Sequence, residues 1–488
     1  MFALLLAALS TQADAGNADV SGYFRVHARP DLQGGGGRLG YWNLYGRLMN
    51  EGSYGMVEMR YDVLERRAGT KAPWSSVHAR IEGGSIGNAD PGQGTLAAFR
   101  LSQVYVKSGN VLLDGVTWQV GTLESFMGDL GLYDFRPATV FFDTVGASGR
   151  YESKHVELLV GAGDSGFKRY GTNYNAIPTL GGTARLRVLP GHLELGGGGE
   201  LMLERSVAGS VNAPYHTEGI EYEDWIRGEV VERYVAERGP ELLDFFPGPS
   251  ARTARGGKVV GYLGFGQVGP LIWSNFFGSY TWEMPQKATT ESYAGQDITL
   301  YVHDFTDQRT TLLLGNEMQL RVVPDRLDAV WSVLYGDHRD GDNDIVPSDF
   351  DRTYASTVLR LQGYATETVH FLAEGSAARE WSRNGNTYRQ FSDSIFSNTE
   401  GRPDTRGLEF GDSDTRHTFQ LKMGPVLQPT GRGIFNRPSL RFLYGMQYSS
   451  QNNAFGNAFV DTIDQYNDFQ PVEQRLHHLV AAEVEVWF

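Results

Sequence analysis

Tyr23 and Tyr45 each stand two residues before an arginine, Arg25 and Arg47, and Trp487 is the penultimate residue. Side chains two apart on a strand point the same way, so each tyrosine would share a face with its arginine. A sugar ring has an apolar face of C–H groups and a rim of hydroxyls. Aromatic faces take the first by stacking, and charged side chains take the second by hydrogen bonds. A passage lined by both would let an oligosaccharide exchange one ring contact for the next without a deep energy well. Other groupings carry less. Gly163-Asp164-Ser165-Gly166 looks like a serine-protease nucleophile segment, but with no partner histidine context it reads as a turn. Asp337, Asp340, Asp342 and Asp344 with Gly341 could crowd carboxylates around calcium. They lack the spaced glutamate of an EF-hand and read as a solvated external loop. Gly34 to Gly37 and Gly196 to Gly199 open no helix after a buried strand, so they fit turns or relief of crowding. There is no metal-spaced histidine pair and no convincing catalytic triad. Neither catalysis nor a cofactor is expected.

Such residues need strands to aim them, and alternating segments recur from end to end. Val20, Phe24 and Val26 oppose Tyr23, Arg25 and His27. Leu44 and Leu48 oppose Tyr45 and Arg47 over 43–48, which predicts a strand there. Val57, Met59 and Tyr61 oppose Glu58, Arg60 and Asp62; Phe419, Leu421 and Met423 oppose Gln420 and Lys422; Phe442, Tyr444 and Met446 oppose Arg441. In the last run, Leu479 to Phe488, the even positions are apolar while Glu483, Glu485 and Trp487 hold odd ones. A soluble sandwich also alternates, but its polar face is the outer one. Here large Phe, Tyr and Met fill one face all along the chain, with no second apolar face to form a core. A lipid-facing wall explains that better. The spacing leaves room for about 16 to 20 strands, and the expected fold is a transmembrane antiparallel β-barrel of about 18, closed by its aromatic-ended last strand.

Composition agrees. Mean hydropathy is −0.34 and no stretch is apolar enough for a membrane-spanning helix, yet a barrel needs only alternate residues to face lipid. Sixty-one glycines suit tight turns, 12% aromatics suit interfacial girdles, and the absence of cysteine suits an exported chain that does not depend on disulfides. A net charge of −15 argues against nucleic acid as a partner. Residues 1–15 read as a signal peptide: Phe2 to Leu9 is apolar and Ala13-Asp14-Ala15 is a small-x-small cleavage pattern, although no basic residue precedes Arg25. The barrel would then occupy 16–488. Its 206–255 stretch would be an external loop insertion, with an acidic helix over 218–246 in which Ile226, Val230 and Tyr234 recur every fourth residue.

Several short segments, in collinear order, resemble the maltoporin family of sugar-specific outer-membrane porins. Gly22-Tyr23-Phe24-Arg25 is similar to that family's opening strand. Arg38-Leu39-Gly40 followed by Tyr45 is similar to its next segment, and Ala98-Phe99-Arg100 to a third. Gly121 to Phe135 is similar to its constriction loop, and Glu485-Val486-Trp487-Phe488 to its final strand. The resemblance implies a sugar site in which Tyr23, Tyr45, Trp487 and Tyr354 form an aromatic slide. Arg25, Arg38, Arg100, Asp129 and Asp134 would form a polar track beside it. It also implies a constriction loop over 123–150 and assembly as a homotrimer. Arg47 stands where the family's track has an acid, and Met127 where it has an arginine.

Together these point to a bacterial outer-membrane porin passing sugars or small oligosaccharides by diffusion, not an enzyme, with outer-membrane lipids and lipopolysaccharide around it. A polysaccharide exporter or anion channel would need a strongly basic lumen. An outer-membrane enzyme would need a Ser–His pair at the barrel rim. A receptor would work through the acidic insert.

Overall fold

The computed structural model describes residues 17–28, 32, 43–66, 71–84, 100–166, 176–204, 210–212, 254–282, 288–293, 296–301, 310–339, 352–382, 415–450 and 476–488. Strands run over Ala18–Ala28 (β1), Tyr54–Leu64 (β2), Trp74–Gly84 (β3), Arg100–Gly109 (β4), Val116–Phe126 (β5), Thr139–Glu152 (β6) and Val156–Asp164 (β7). They continue over Pro178–Leu189 (β8), Leu193–Glu204 (β9), Ser210–Asn212 (β10), Ala254–Val268 (β11), Leu271–Trp282 (β12), Ala288–Tyr293 (β13) and Gln296–Tyr301 (β14). The rest are Thr310–Val323 (β15), Leu327–Arg339 (β16), Arg352–Tyr364 (β17), Val369–Ser382 (β18), Thr415–Leu427 (β19), Ser439–Ser449 (β20) and Leu476–Trp487 (β21).

Eighteen of these strands form a single antiparallel sheet; β10, β13 and β14 form a separate three-stranded one. Each barrel strand pairs with the next in the chain, and β21 pairs back with β1, Tyr23 opposite Trp487. Closure leaves no free edge, which a sheet surrounded by hydrocarbon requires. At the seam, Gly22 exchanges backbone hydrogen bonds with Phe488, and the Phe488 ring lies over it. A Cβ on Gly22 would sit 2.4 Å from that ring, so only glycine fits.

Alternation sets the two faces as expected. Val26, Leu180, Leu201, Phe276, Phe419 and Phe442 point outward and exposed, while their neighbours Arg441, Gln420 and Lys422 are buried within. The outward belt is the barrel's contact with lipid. Short connections (110–115, 153–155, 190–192, 324–326) alternate with long ones (29–53, 205–253, 283–309, 383–414). Short turns mark the periplasmic end of such barrels and long loops the outer end. No helix among the described residues is long and apolar enough to cross a membrane.

The structure corrects the strand expected over 43–48. Asn43–Tyr45 is a 3-10 turn, and the chain to 53 folds inside the barrel before β2 begins. A brief alternation fits a turn as well as a strand when its partners are distant wall residues. The connection 127–138 also leaves the wall and packs inside, narrower than the 123–150 expected, because β5 runs on to Phe126 and β6 starts at Thr139. The helix expected over 218–246, the signal segment and Arg38 lie outside the described residues.

Candidate functional site

The barrel interior divides in two. Along β15 to β19 it is filled. Leu44, Leu130, Leu132, Tyr133, Val358 and Ile434 belong to one buried apolar cluster that joins both inward segments to the wall. Polar bolts fix the packing. Glu317 accepts the backbone amides of Gly131 at 2.9 Å and Leu132 at 2.8 Å. Lys422 Nζ donates to the carbonyls of Tyr45 and Gly46 and pairs with Glu374 at 3.0 Å; Arg360 holds the other oxygen of Glu374 at 2.6 Å. Tyr133 and Ser356 share a hydroxyl contact at 2.9 Å, and the Ser356 hydroxyl also donates to Leu44 O. The two inward segments are joined by Arg47 N donating to Leu132 O at 2.7 Å.

The opposite wall, β2 to β9, is lined with half-exposed ion pairs, although Leu123, Phe141 and Leu159 on β5 to β7 join the same buried cluster. Arg80 meets Glu58 at 2.8 Å, Arg150 meets Glu157 at 3.4 Å, Arg185 meets Glu194 at 3.7 Å, and Arg187 meets Glu157 at 3.0 Å. Signs are mixed along its length. Gly196 of β9 gives way to the loop, since a Cβ there would meet Met127 Sδ at 2.6 Å, while Gly198 and Gly199 give way to the backbone of neighbouring strands.

Between these halves, where the two inward segments approach β1, β2 and β21, side chains converge on the lumen at the place of the expected constriction. Tyr23 and Arg25 reach inward from β1, Tyr54 from β2, Glu485 and Trp487 from β21, Arg47 and Glu51 from one inward segment, and Asp134 from the other. Tyr23 and Arg47 both donate to Glu485 Oε1 at 2.8 Å, and Arg47 also reaches the Tyr23 hydroxyl at 3.0 Å. Arg437 and Arg441 take the other Glu485 oxygen, each at 2.6 Å. Glu51 pairs with Arg25, with Arg47 at 3.5 Å, and hydrogen-bonds Asp134; Arg47 stands 3.8 Å from Asp134. The Tyr23 ring packs edge-on to Trp487 at 5.6 Å and tilted to Tyr54 at 6.0 Å. Trp487 is 66% exposed, so one indole face stays free.

Charge states follow from position. Burial pushes the Glu51 carboxyl up to about 7, against the pull of Arg47 and Arg25. Burial acts on Asp134 too, but Arg47 and a hydrogen bond from Glu51 outweigh it and hold that carboxyl below its usual range.

Of the site residues expected from sequence, Tyr23, Arg25, Trp487 and Asp134 come together at the constriction, and Asp129 lies exposed on the same loop. Tyr45 and Tyr354 do not join them; at 2% and 1% exposed they are walled into the packed half. The Tyr45 hydroxyl is held by Glu380 and, at 2.9 Å, by Arg416. Arg100 starts β4, and Arg38 lies outside the described residues. Sequence reasoning passed over Tyr54, Glu51 and Glu485 as site residues. Tyr54 shares the inward register of Glu58, and that signal was available; the inward fold of Glu51 had none.

Two motifs resolve plainly. Asp164 Oδ1 accepts the amides of Gly166 and Ile177 at 2.8 Å each, closing a turn. Asp337 is bound by Thr353 and Arg339, while Asp340, Asp342 and Asp344 lie outside the described residues. A Ser–His pair does exist: Ser76 Oγ lies 2.9 Å from His78 Nε2, with Glu58 3.5 Å from Nδ1. Ser76 is 1% exposed, so its hydroxyl is closed to a substrate and serves as a wall contact.

No family model and no curated protein matches this chain. Among solved structures it is similar to the outer membrane channel DcaP of Acinetobacter baumannii, at 9% identity over 98% of this chain and 99% of that one, TM-score 0.44. It is similar to OprD of Pseudomonas aeruginosa, at 10% identity over 98% and 99%, TM-score 0.41. It is also similar to Wzi of Escherichia coli, a carbohydrate-binding β-barrel involved in group 1 capsule assembly, at 11% identity over 100% and 87%, TM-score 0.38. Likeness at that level says nothing of substrate.

Proposed function

We propose that this bacterial outer-membrane β-barrel of porin-like build, with its closed wall, outward apolar belt and inward-folded segments, passes sugars or small oligosaccharides by diffusion along its half-open wall, in the manner of the maltoporins it resembles. The observation that carries this is the aromatic trio Tyr23, Tyr54 and Trp487 beside Arg47, Arg25 and Asp134 at the constriction. An exposed indole offers a stacking face for the ring, and the charges offer partners for its hydroxyl rim. The slide is shorter than the sequence implied, because Tyr45 and Tyr354 face protein.

An anion channel or exporter is the weaker alternative, since each lumen arginine of the open wall named above has a carboxylate partner. Assembly as a trimer is part of the proposal. On the lipid face Ala184, Gly197, Gly261 and Gly278 fall in one cross-strand row, and a Cβ on Gly261 would meet nothing within 4 Å. The barrel's own packing does not demand that flatness, which suits a neighbouring copy. The test of sugar passage is single-channel recording in planar bilayers. Current blocked by maltodextrins at millimolar levels is expected; an open channel indifferent to every sugar would overturn it.

A further inference from the structure

On the lipid face at the long-loop end, the ends of β7, β8, β9, β11 and β12 border an outward-open cleft of about 550 Å³. Its floor and sides are apolar: Ala162, Pro178, Leu180, Leu201 and Leu203. Leu180 and Leu201 are both more than half exposed, so the cleft opens outward. Two residues mark its upper edge. Arg255 sits opposite Leu203 at an exposed outward position. Trp282 lies flat across Gly257, where a Cβ would stand 2.3 Å from the indole. Tryptophan at this height belongs to the membrane–water interface, where its ring sits at headgroup level. An arginine beside it meets that interface's phosphates, with a planar fork suited to bidentate contact. The pairing recurs on another face, where Arg379 lies 5.2 Å over Trp381 near the end of β18. Asp164, at the far side of the cleft, is occupied by its two backbone amides.

We propose that this cleft binds one phosphorylated glycolipid of the outer leaflet, with an acyl chain between the leucines and a phosphate on Arg255. The long-loop end faces the leaflet that carries such lipids, and an apolar cleft open to the bilayer is filled by hydrocarbon in preference to water. The site is separate from the lumen, so the sugar proposal can fail without touching it.

The experiment uses the full chain purified in detergent, incubated with lipid A, and scored by native mass spectrometry for bound lipid. One lipid should stay bound. Arg255→Ala should weaken retention by about tenfold, the worth of one charge-assisted contact. Lipid A stripped of its phosphates should bind the unaltered barrel equally weakly. Leu180→Trp, which fills the cleft and keeps Arg255, should also lose the lipid, with the heat-modifiable gel shift showing that the barrel is intact. Arg66→Ala, at the short-turn end, should change nothing. Equal retention by Arg255→Ala, by the cleft-filled variant or of the dephosphorylated lipid would overturn the proposal.

Discussion

Glu58 with Arg80 and Glu374 with Lys422 are both inward ion pairs between neighbouring strands, 2.8 and 3.0 Å long. The first pair is 22% exposed on each side; the second is fully buried on both. The open wall keeps its charges beside water, where an ion pair contributes little and a solute can replace either partner at small cost. The packed wall has lost its water to the segments 43–53 and 127–138, so each charge there depends on its protein partner. One barrel thus uses the same residue types for a passage on one side and a fixed support on the other.

The largest effect is expected where a buried pair is broken. Glu374→Ala leaves Arg360 and Lys422 without a carboxylate and should cost about 3–5 kcal/mol of stability, measured by urea unfolding in detergent. A loss below about 1 kcal/mol would mean that water reaches this wall and that the two halves are alike. Next comes Glu317→Ala, which removes the acceptor for Gly131 and Leu132. Loop 127–138 should lose about 2–4 kcal/mol of docking, and single-channel conductance should rise. Unchanged conductance would show that the loop does not border the current path.

At the constriction, Trp487→Ala should weaken sugar block roughly five- to tenfold, about 1–1.5 kcal/mol of ring contact, with ion conductance nearly unchanged. An unaltered block would remove Trp487 from the site. The smallest effect is expected of Glu51, whose carboxyl rises from 4.5 to about 7. The folded chain keeps a proton there that the unfolded chain releases, so this contribution to stability is full below pH 4.5. It is lost as pH rises through 7. For transport, falling pH neutralises Glu51 and leaves Arg25 and Arg47 in excess, so the reversal potential should shift toward anions. Glu51→Gln should abolish that shift, and a shift that survives would place the titrating group elsewhere.

Much of the wall was legible in the sequence. The run from Leu479 to Phe488 was sorted into its two faces by alternation alone, and Glu483 and Glu485 do point inward. Alternation separates inside from outside because a strand's period is two. It does not separate wet from packed. Tyr45 has the same local pattern as Tyr23, yet one is closed in by Glu380 and Arg416 and the other borders the constriction. The difference lies in partners more than three hundred residues away, Glu380 and Arg416 for Tyr45. Likewise nothing near Gly131 announces Glu317, since a carboxylate that caps backbone amides leaves no periodic trace.

The chain has no cysteine, so single cysteines can be placed on either wall and probed from the lumen with a charged methanethiosulfonate during bilayer recording. Arg60→Cys and Arg150→Cys, on the open wall, should react within seconds and step the current. Val358→Cys and Thr418→Cys, on the packed wall, should stay silent. Reaction at all four positions, or at the packed pair alone, would contradict a lumen divided into a passage and a support.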